Sequence, residues 1–219
     1  MSRALAAVLL VGVTGLDVAS QAAGPGTLSR PPAGAGVPAG ARLLHCEDVS
    51  TRPRSRGPRP PFVPTPQDVV DKMLELAAVK QTDTVVDLGC GDGRIVVTAA
   101  RKYGCQGIGY DLDQECLRLA RDRVKASRLG GRVRIIEEDI FHVDLSKADV
   151  VTLYLWPTTN VRLLPQLENM KPGARVVSHA ADIKGVVPDK VITVKSADDE
   201  QERKLYLWTL PLKKEAPPK

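Results

Sequence analysis

The chain has 219 residues, of which 43% are hydrophobic and 26% charged, enough for one domain of ordinary size with a real core. Its net charge of +5 is unevenly placed: residues 1–61 hold seven Arg, no Lys and three acids, whereas residues 62–219 carry 24 basic and 23 acidic side chains. The near-neutral remainder lacks the basic footprint of a nucleic-acid enzyme, and two Trp, four Tyr and two Phe, widely scattered, make no base-stacking platform.

Ala4 to Val13 is an apolar run behind Ser2-Arg3, too short to span a bilayer as a helix. Val18-Ala19-Ser20 offers small residues suited to signal-peptide cleavage before Gln21. Residues 1–23 therefore read as a hydrophobic leader. It is an export signal, with a periplasmic or membrane-tethered product, or a mitochondrial presequence, or the result of a misplaced start codon in a cytoplasmic protein. Asp17 and the single early Arg count against a presequence. Residues 24–61 contain six Gly and eight Pro and end in an Arg/Pro run, so they cannot bury enough apolar surface to offset their ordering entropy. They are expected to be a disordered linker ahead of a domain at 62–213, with 214–219 a disordered tail.

From Phe62 the pattern alternates helix and strand. Thr65 as N-cap and Pro66 at the first helical position open a helix whose apolar face is Val69, Val70, Met73, Leu74 and Ala77, running to about Val79. A strand over 83–88 follows, then a glycine turn, then a helix with Ile95, Val96, Ala99, Ala100 and Tyr103 inward. Next come a strand over 106–111 and a helix over 113–128 that turns Cys116, Leu117, Leu119, Ala120 and Val124 to the core and stops at Gly130-Gly131. Strands over 132–137 and 149–155 follow, then a helix over 159–170 that Pro165 delays or kinks, and a strand over 174–178. The last two strands, 190–195 and 204–210, are joined by a polar loop and read as an antiparallel pair. The sum is an α/β, Rossmann-like, doubly wound seven-stranded sheet, mostly parallel with a C-terminal antiparallel hairpin. Its ligand crevice belongs at the carboxyl ends of the first and fourth strands, where the order reverses.

The strand-turn-helix at Val85 to Arg94 carries the chemistry. Its glycines fall at Gly89, Gly91 and Gly93, and Arg94 takes the place of the third glycine of a dinucleotide fingerprint. Asp87 and Asp92 would repel a pyrophosphate, yet suit a ligand bearing an ammonium and a sulfonium. That ligand is S-adenosyl-L-methionine. Asp111 ends the second strand where an acid accepts from ribose hydroxyls, and the third strand also ends in acids, Glu137-Glu138-Asp139. The four Cys (46, 90, 105, 116) and three His (45, 142, 179) form no ligand-spaced set, so no metal site is expected.

D-L-G-C-G-D-G-R resembles motif I of the class I S-adenosylmethionine-dependent methyltransferases. That resemblance implies Asp87 and the 89–93 loop at the methionine end, Asp111 on the ribose, Asp139 facing the adenine amino group and Ile140 packed on its ring. Phe62-Val63-Pro64-Thr65-Pro66, Tyr154-Leu155-Trp156-Pro157 and Pro172 to His179 narrow it. Together they are similar to the protein-lysine methyltransferase family of the adenine nucleotide translocase and ATP synthase c-subunit, with its short bacterial relatives, over about residues 62–211. Thr65 joins the implied cofactor set, and Phe62 stands where a Tyr is expected. At the end of the fourth strand the chain has no Asn or Asp of the kind that holds planar amines; Tyr154 and Trp156 instead offer aromatic walls for an aliphatic amine. Both sit at a strand end, where core packing is the competing role, and period-two alternation points them the same way. Tyr154 and His179 are the candidate general bases, and catalysis by positioning alone remains open. The methyl acceptor is thus a protein lysine or, alternatively, a small molecule such as a lipid quinone or natural product; a non-catalytic cofactor-binding role is the third reading. Nucleic acid is not an expected partner, membrane association would run through the leader, and oligomeric state leaves no mark on the sequence.

Overall fold

The structure is a computed structural model and describes residues 62–215. The expected leader (1–23) and linker (24–61), and residues 216–219 of the expected tail, lie outside the described residues. Among the described residues no helix is long and apolar enough to cross a membrane.

In chain order the elements are α1 (Gln67–Leu76), β1 (Thr84–Leu88), α2 (Arg94–Tyr103), β2 (Gln106–Asp111), α3 (Gln114–Ala126), β3 (Val133–Glu137), β4 (Val150–Leu153), α4 (Pro157–Arg162), α5 (Leu164–Glu168), β5 (Arg175–His179), β6 (Val186–Val187), β7 (Lys190–Lys195), β8 (Glu202–Thr209) and β9 (Lys213–Lys214). Seven strands form one sheet in the order β3-β2-β1-β4-β5-β8-β7. The first five are parallel, β8 is antiparallel to both neighbours, and the chain reverses direction across the sheet between β1 and β4. The predicted doubly wound architecture and its terminal hairpin are therefore present.

The period of two explains the core. Val86, Val151 and Val176 point to one face, where they meet Leu163, Leu167 and Trp208; Val85, Val150 and Val177 point to the other and meet Val69, Met73, Ile95 and Ala99. Strands buried on both faces need continuous apolar runs, which is why β1, β4 and β5 lack polar alternation. Arg175 at the start of β5 clamps the end of α1. Its guanidinium donates to the carbonyls of Ala77 (2.9 Å) and Ala78 (3.0 Å) and to Asp83 (2.9 Å), meeting carbonyls that a helix end leaves unpaired.

Several expectations are corrected. Thr65 is not the cap of α1: Pro66 is the N-cap, its carbonyl accepting from Val70 N, and the helix stops at Leu76. Leu119 is exposed, because α3 buries Cys116, Leu117, Ala120 and Val124 and Leu119 lies off that stripe. Nor do Gly130-Gly131 stop α3. Arg128 does so in the left-handed conformation (φ 55), with Arg128 N donating to Lys125 O and Leu129 N to Val124 O, the double closure usually built on glycine. Pro165 divides the predicted 159–170 helix into α4 and α5, and β4 ends at Leu153 rather than Leu155. The pair β6 and β9 was not predicted; it places Lys214, the expected first tail residue, in a strand.

Candidate functional site

β1, β2 and β4 deliver their last residues to one crevice. Asp87, 3% exposed, faces Thr152 across the β1–β4 register and accepts from its hydroxyl at 2.7 Å. Burial pushes the Asp87 carboxyl up to about 7; the Thr152 hydrogen bond opposes this, and the nearby Asp111 and Asp92 add to it. No Lys or Arg pairs with it among the described residues. An uncompensated buried acid is what a ligand ammonium would complete.

The loop after β1 folds tightly because Gly89, Gly91 and Gly93 all have positive φ (78, 53 and 73). Gly93 N donates to Cys90 O (2.9 Å), and both Gly89 N and Cys90 N donate to Tyr110 O (2.9 Å). A Cβ on Gly91 would lie 2.2 Å from the Phe62 ring, which therefore lies directly on the loop. A Cβ on Gly93 would meet Ala120 at 3.0 Å, where α3 packs against the start of α2.

The other acids take distinct roles. Asp111 Oδ2 accepts from Gly91 N (2.8 Å), while its Oδ1 accepts from Leu112 N (2.8 Å) and Asp113 N (2.9 Å), so this acid also stitches the glycine loop to β2. Asp139 caps the 3₁₀ turn at Ile140–His142 by accepting from Phe141 N (3.0 Å), and half-buried Ile140 packs on the core beside it. Asp92 departs from its expected part. It is held by Arg94 (2.7 Å) and by Arg123 of α3 (2.6 Å), so its charge is answered within the protein and does little to repel a ligand. Burial alone would raise its carboxyl, but the Arg94 hydrogen bond and the two guanidinium charges hold it below the usual value. Arg123 was not singled out in the sequence: nothing local marks a helix residue 31 positions away as the partner of Asp92.

On the acceptor side β4 ends before Tyr154, so strand alternation does not govern 154–156. Tyr154 turns inward and stacks on His179 with ring centroids 3.9 Å apart, whereas Trp156 is 62% exposed at the N-cap of α4. The two aromatics thus separate into a half-buried wall and an exposed lip. His179 is 1% exposed, its Nδ1 lies 3.2 Å from Thr65 Oγ1, and its Nε2 has no partner among the described residues. Burial, followed by the Arg203 charge, brings its imidazole down to about 4. It is neutral at physiological pH, yet too weak a base to draw a proton from an alkyl ammonium efficiently. The Thr65 hydroxyl, expected among the cofactor contacts, is directed to His179. Among the described residues no cluster of His, Cys, Asp or Glu is arranged to hold a metal ion.

The chain is similar to several known proteins. Residues 87–190 match the model of the ANTKMT methyltransferase domain. The chain is 43% identical over 155 residues to a protein-lysine N-methyltransferase of Saccharolobus islandicus, covering 70% of this chain and 95% of that one. It is 31% identical over 136 residues to the Xenopus laevis lysine N-methyltransferase of the ATP synthase c-subunit, of which it spans 58%. Among solved structures, an RNA methyltransferase from Salinibacter ruber in complex with S-adenosyl-L-homocysteine aligns at 42% identity and a TM-score of 0.64, covering 71% of this chain and 97% of that one.

Proposed function

The chain belongs to the ANTKMT methyltransferase family and is an S-adenosylmethionine-dependent methyltransferase, and we propose that its methyl acceptor is the side-chain amine of a protein lysine. The observation that carries this reading is the acceptor wall at the end of β4. Tyr154 and Trp156 stand there without the Asn or Asp that would hold a planar amide or base amine. The similarity to the Saccharolobus islandicus enzyme, spanning nearly its whole length, supports it.

The residues fit the cofactor. Asp87, buried without a cation among the described residues, suits the ammonium of the methionine end. The Gly89–Gly93 loop offers backbone beside it, Asp111 suits the ribose hydroxyls, and Asp139 with Ile140 suits the adenine. S-adenosylmethionine supplies an electrophilic methyl on a sulfonium. This chain's part is alignment and exclusion of water. The Tyr154 wall takes the aliphatic stem of a lysine, and its apolar surroundings favour the neutral amine over the ammonium. Trp156, exposed at the mouth, meets the segment that carries the lysine. With His179 held neutral and weakly basic, proton loss from the amine runs to solvent before the amine is enclosed.

One observation favours a second reading, an RNA acceptor: the Salinibacter ruber protein that aligns at 42% identity, with 97% of its chain covered, is an RNA methyltransferase. The test is incubation of the full chain with tritiated S-adenosylmethionine and a whole-cell extract, followed by fractionation and amino-acid analysis. Label recovered as methyl-lysine supports the proposal. Label confined to RNA supports the second reading, and label confined to lipid or small molecules refutes both.

A further inference from the structure

Arg94, Thr65 and His179 form an unbroken path between the glycine loop and the acceptor wall. Arg94 chelates Asp92 in the loop, donating from Nε to Oδ1 (3.0 Å) and from Nη2 to Oδ2 (2.7 Å), and its Nη1 donates to the Thr65 carbonyl (2.7 Å). The hydroxyl of that same Thr65 meets His179 Nδ1 at 3.2 Å, and the imidazole stacks on Tyr154 at 3.9 Å with 29° between planes. Asp92, Thr65 and His179 are 5%, 4% and 1% exposed and the Arg94 side chain 22%, so these links are largely shielded from water. We propose that Thr65 and His179 are positioning residues that tie the cofactor loop to Tyr154, so that occupation of the loop sets the acceptor wall.

Packing alone gives no reason for these residue types. Valine would fill the Thr65 site with the same shape. Phenylalanine at 179 would keep a ring against Tyr154 without leaving Nε2 buried and unpartnered, a defect that ordinarily costs a protein stability. The polar pair supplies what those substitutes lack, a directional link from one side of the crevice to the other. The pieces come from far apart: Thr65 precedes α1, Arg94 opens α2, His179 ends β5 and Tyr154 follows β4. A separate apolar contact joins the same regions, since a Cβ on Gly89 would lie 3.0 Å from Leu155 Cδ2. Substitution at Thr65 leaves that contact in place, so the two routes are separable.

The inference rests on the methyl-transfer reading of this crevice, and its test does not require the acceptor. The full chain is labelled with 3-fluorotyrosine, which reports its four tyrosines, and Tyr154→Phe identifies the resonance of Tyr154. S-adenosyl-L-homocysteine is added to saturation, with binding followed in parallel by calorimetry. The Tyr154 resonance is expected to shift on saturation in the wild type and in Thr65→Ser, and the shift is expected to be at least halved in Thr65→Val and His179→Phe. An unaltered shift in Thr65→Val, or a silent Tyr154 in a wild type that binds, overturns the inference and leaves the methyltransferase reading intact. Loss of binding in Thr65→Val also overturns it, by making Thr65 a cofactor contact. Absence of binding in the wild type would instead strike the methyltransferase reading itself.

Discussion

Asp87 and His179 titrate in opposite senses, and Asp87→Asn separates them. The folded-state pKa of Asp87 is raised to about 7 from 3.8, so its contribution to stability is complete below the unfolded value and declines as pH rises toward the folded one. For His179 the folded-state value is lowered to about 4 from 6.5, so its contribution is complete above the unfolded value and declines as pH falls toward the folded one. Between these limits, from about pH 4 to about pH 6.5, the two slopes cancel in the wild type. Asn at 87 keeps the acceptor oxygen for the Thr152 hydroxyl and removes the charge. The His179 slope then stands alone, and the stability of the variant relative to wild type climbs by about 3 kcal/mol across the window. For a domain of this size that is a relative gain of roughly 6–12 °C in Tm. The assay is chemical or thermal denaturation of both proteins without cofactor at several pH values in the window. Parallel stability curves would refute the reasoning, because they would mean that Asp87 is ionised in the folded protein throughout. His179→Phe is expected to give the mirror image, a relative loss of about 3 kcal/mol over the same range.

Further outcomes follow from the same geometry. Calorimetry in buffers of different ionisation enthalpy is expected to show proton release from Asp87 when S-adenosylmethionine binds below about pH 7, and Asp87→Asn abolishes it. Gly91→Ala is expected to cost at least about 2 kcal/mol, from its positive φ and the collision with Phe62, and Phe62→Ala in the same chain recovers part of that loss in denaturation. Arg94→Met leaves Asp92 with Arg123 alone and is expected to lower stability by about 2 kcal/mol at neutral pH. Trp156→Ala removes an exposed ring, so stability stays within about 0.5 kcal/mol, while methylation of protein lysine falls at unchanged affinity for S-adenosyl-L-homocysteine.

Much of the fold was legible because it is written in local patterns. β2 and β7 run over the predicted residues, since β-branched and apolar alternation bounded by turns is a property of a short window. The glycine loop was legible for the same reason: three residues needing positive φ between a buried strand and a helix leave few conformations open. Local pattern also misled. Leu119 is as apolar as Leu117 but sits off the stripe that α3 buries, and β4 stops before Tyr154 although the run to Trp156 is apolar.

By itself, then, the sequence determined the alternation of elements, the crevice at the ends of β1 and β4, and the acids that converge on it. Tertiary structure alone decided what each acid faces. Asp92 is answered by Arg123, Asp87 has no cation among the described residues, and Thr65 meets His179 across 114 residues. The physical reason is that backbone propensity acts over a few residues, whereas charge compensation and burial depend on neighbours that only the packed sheet brings together.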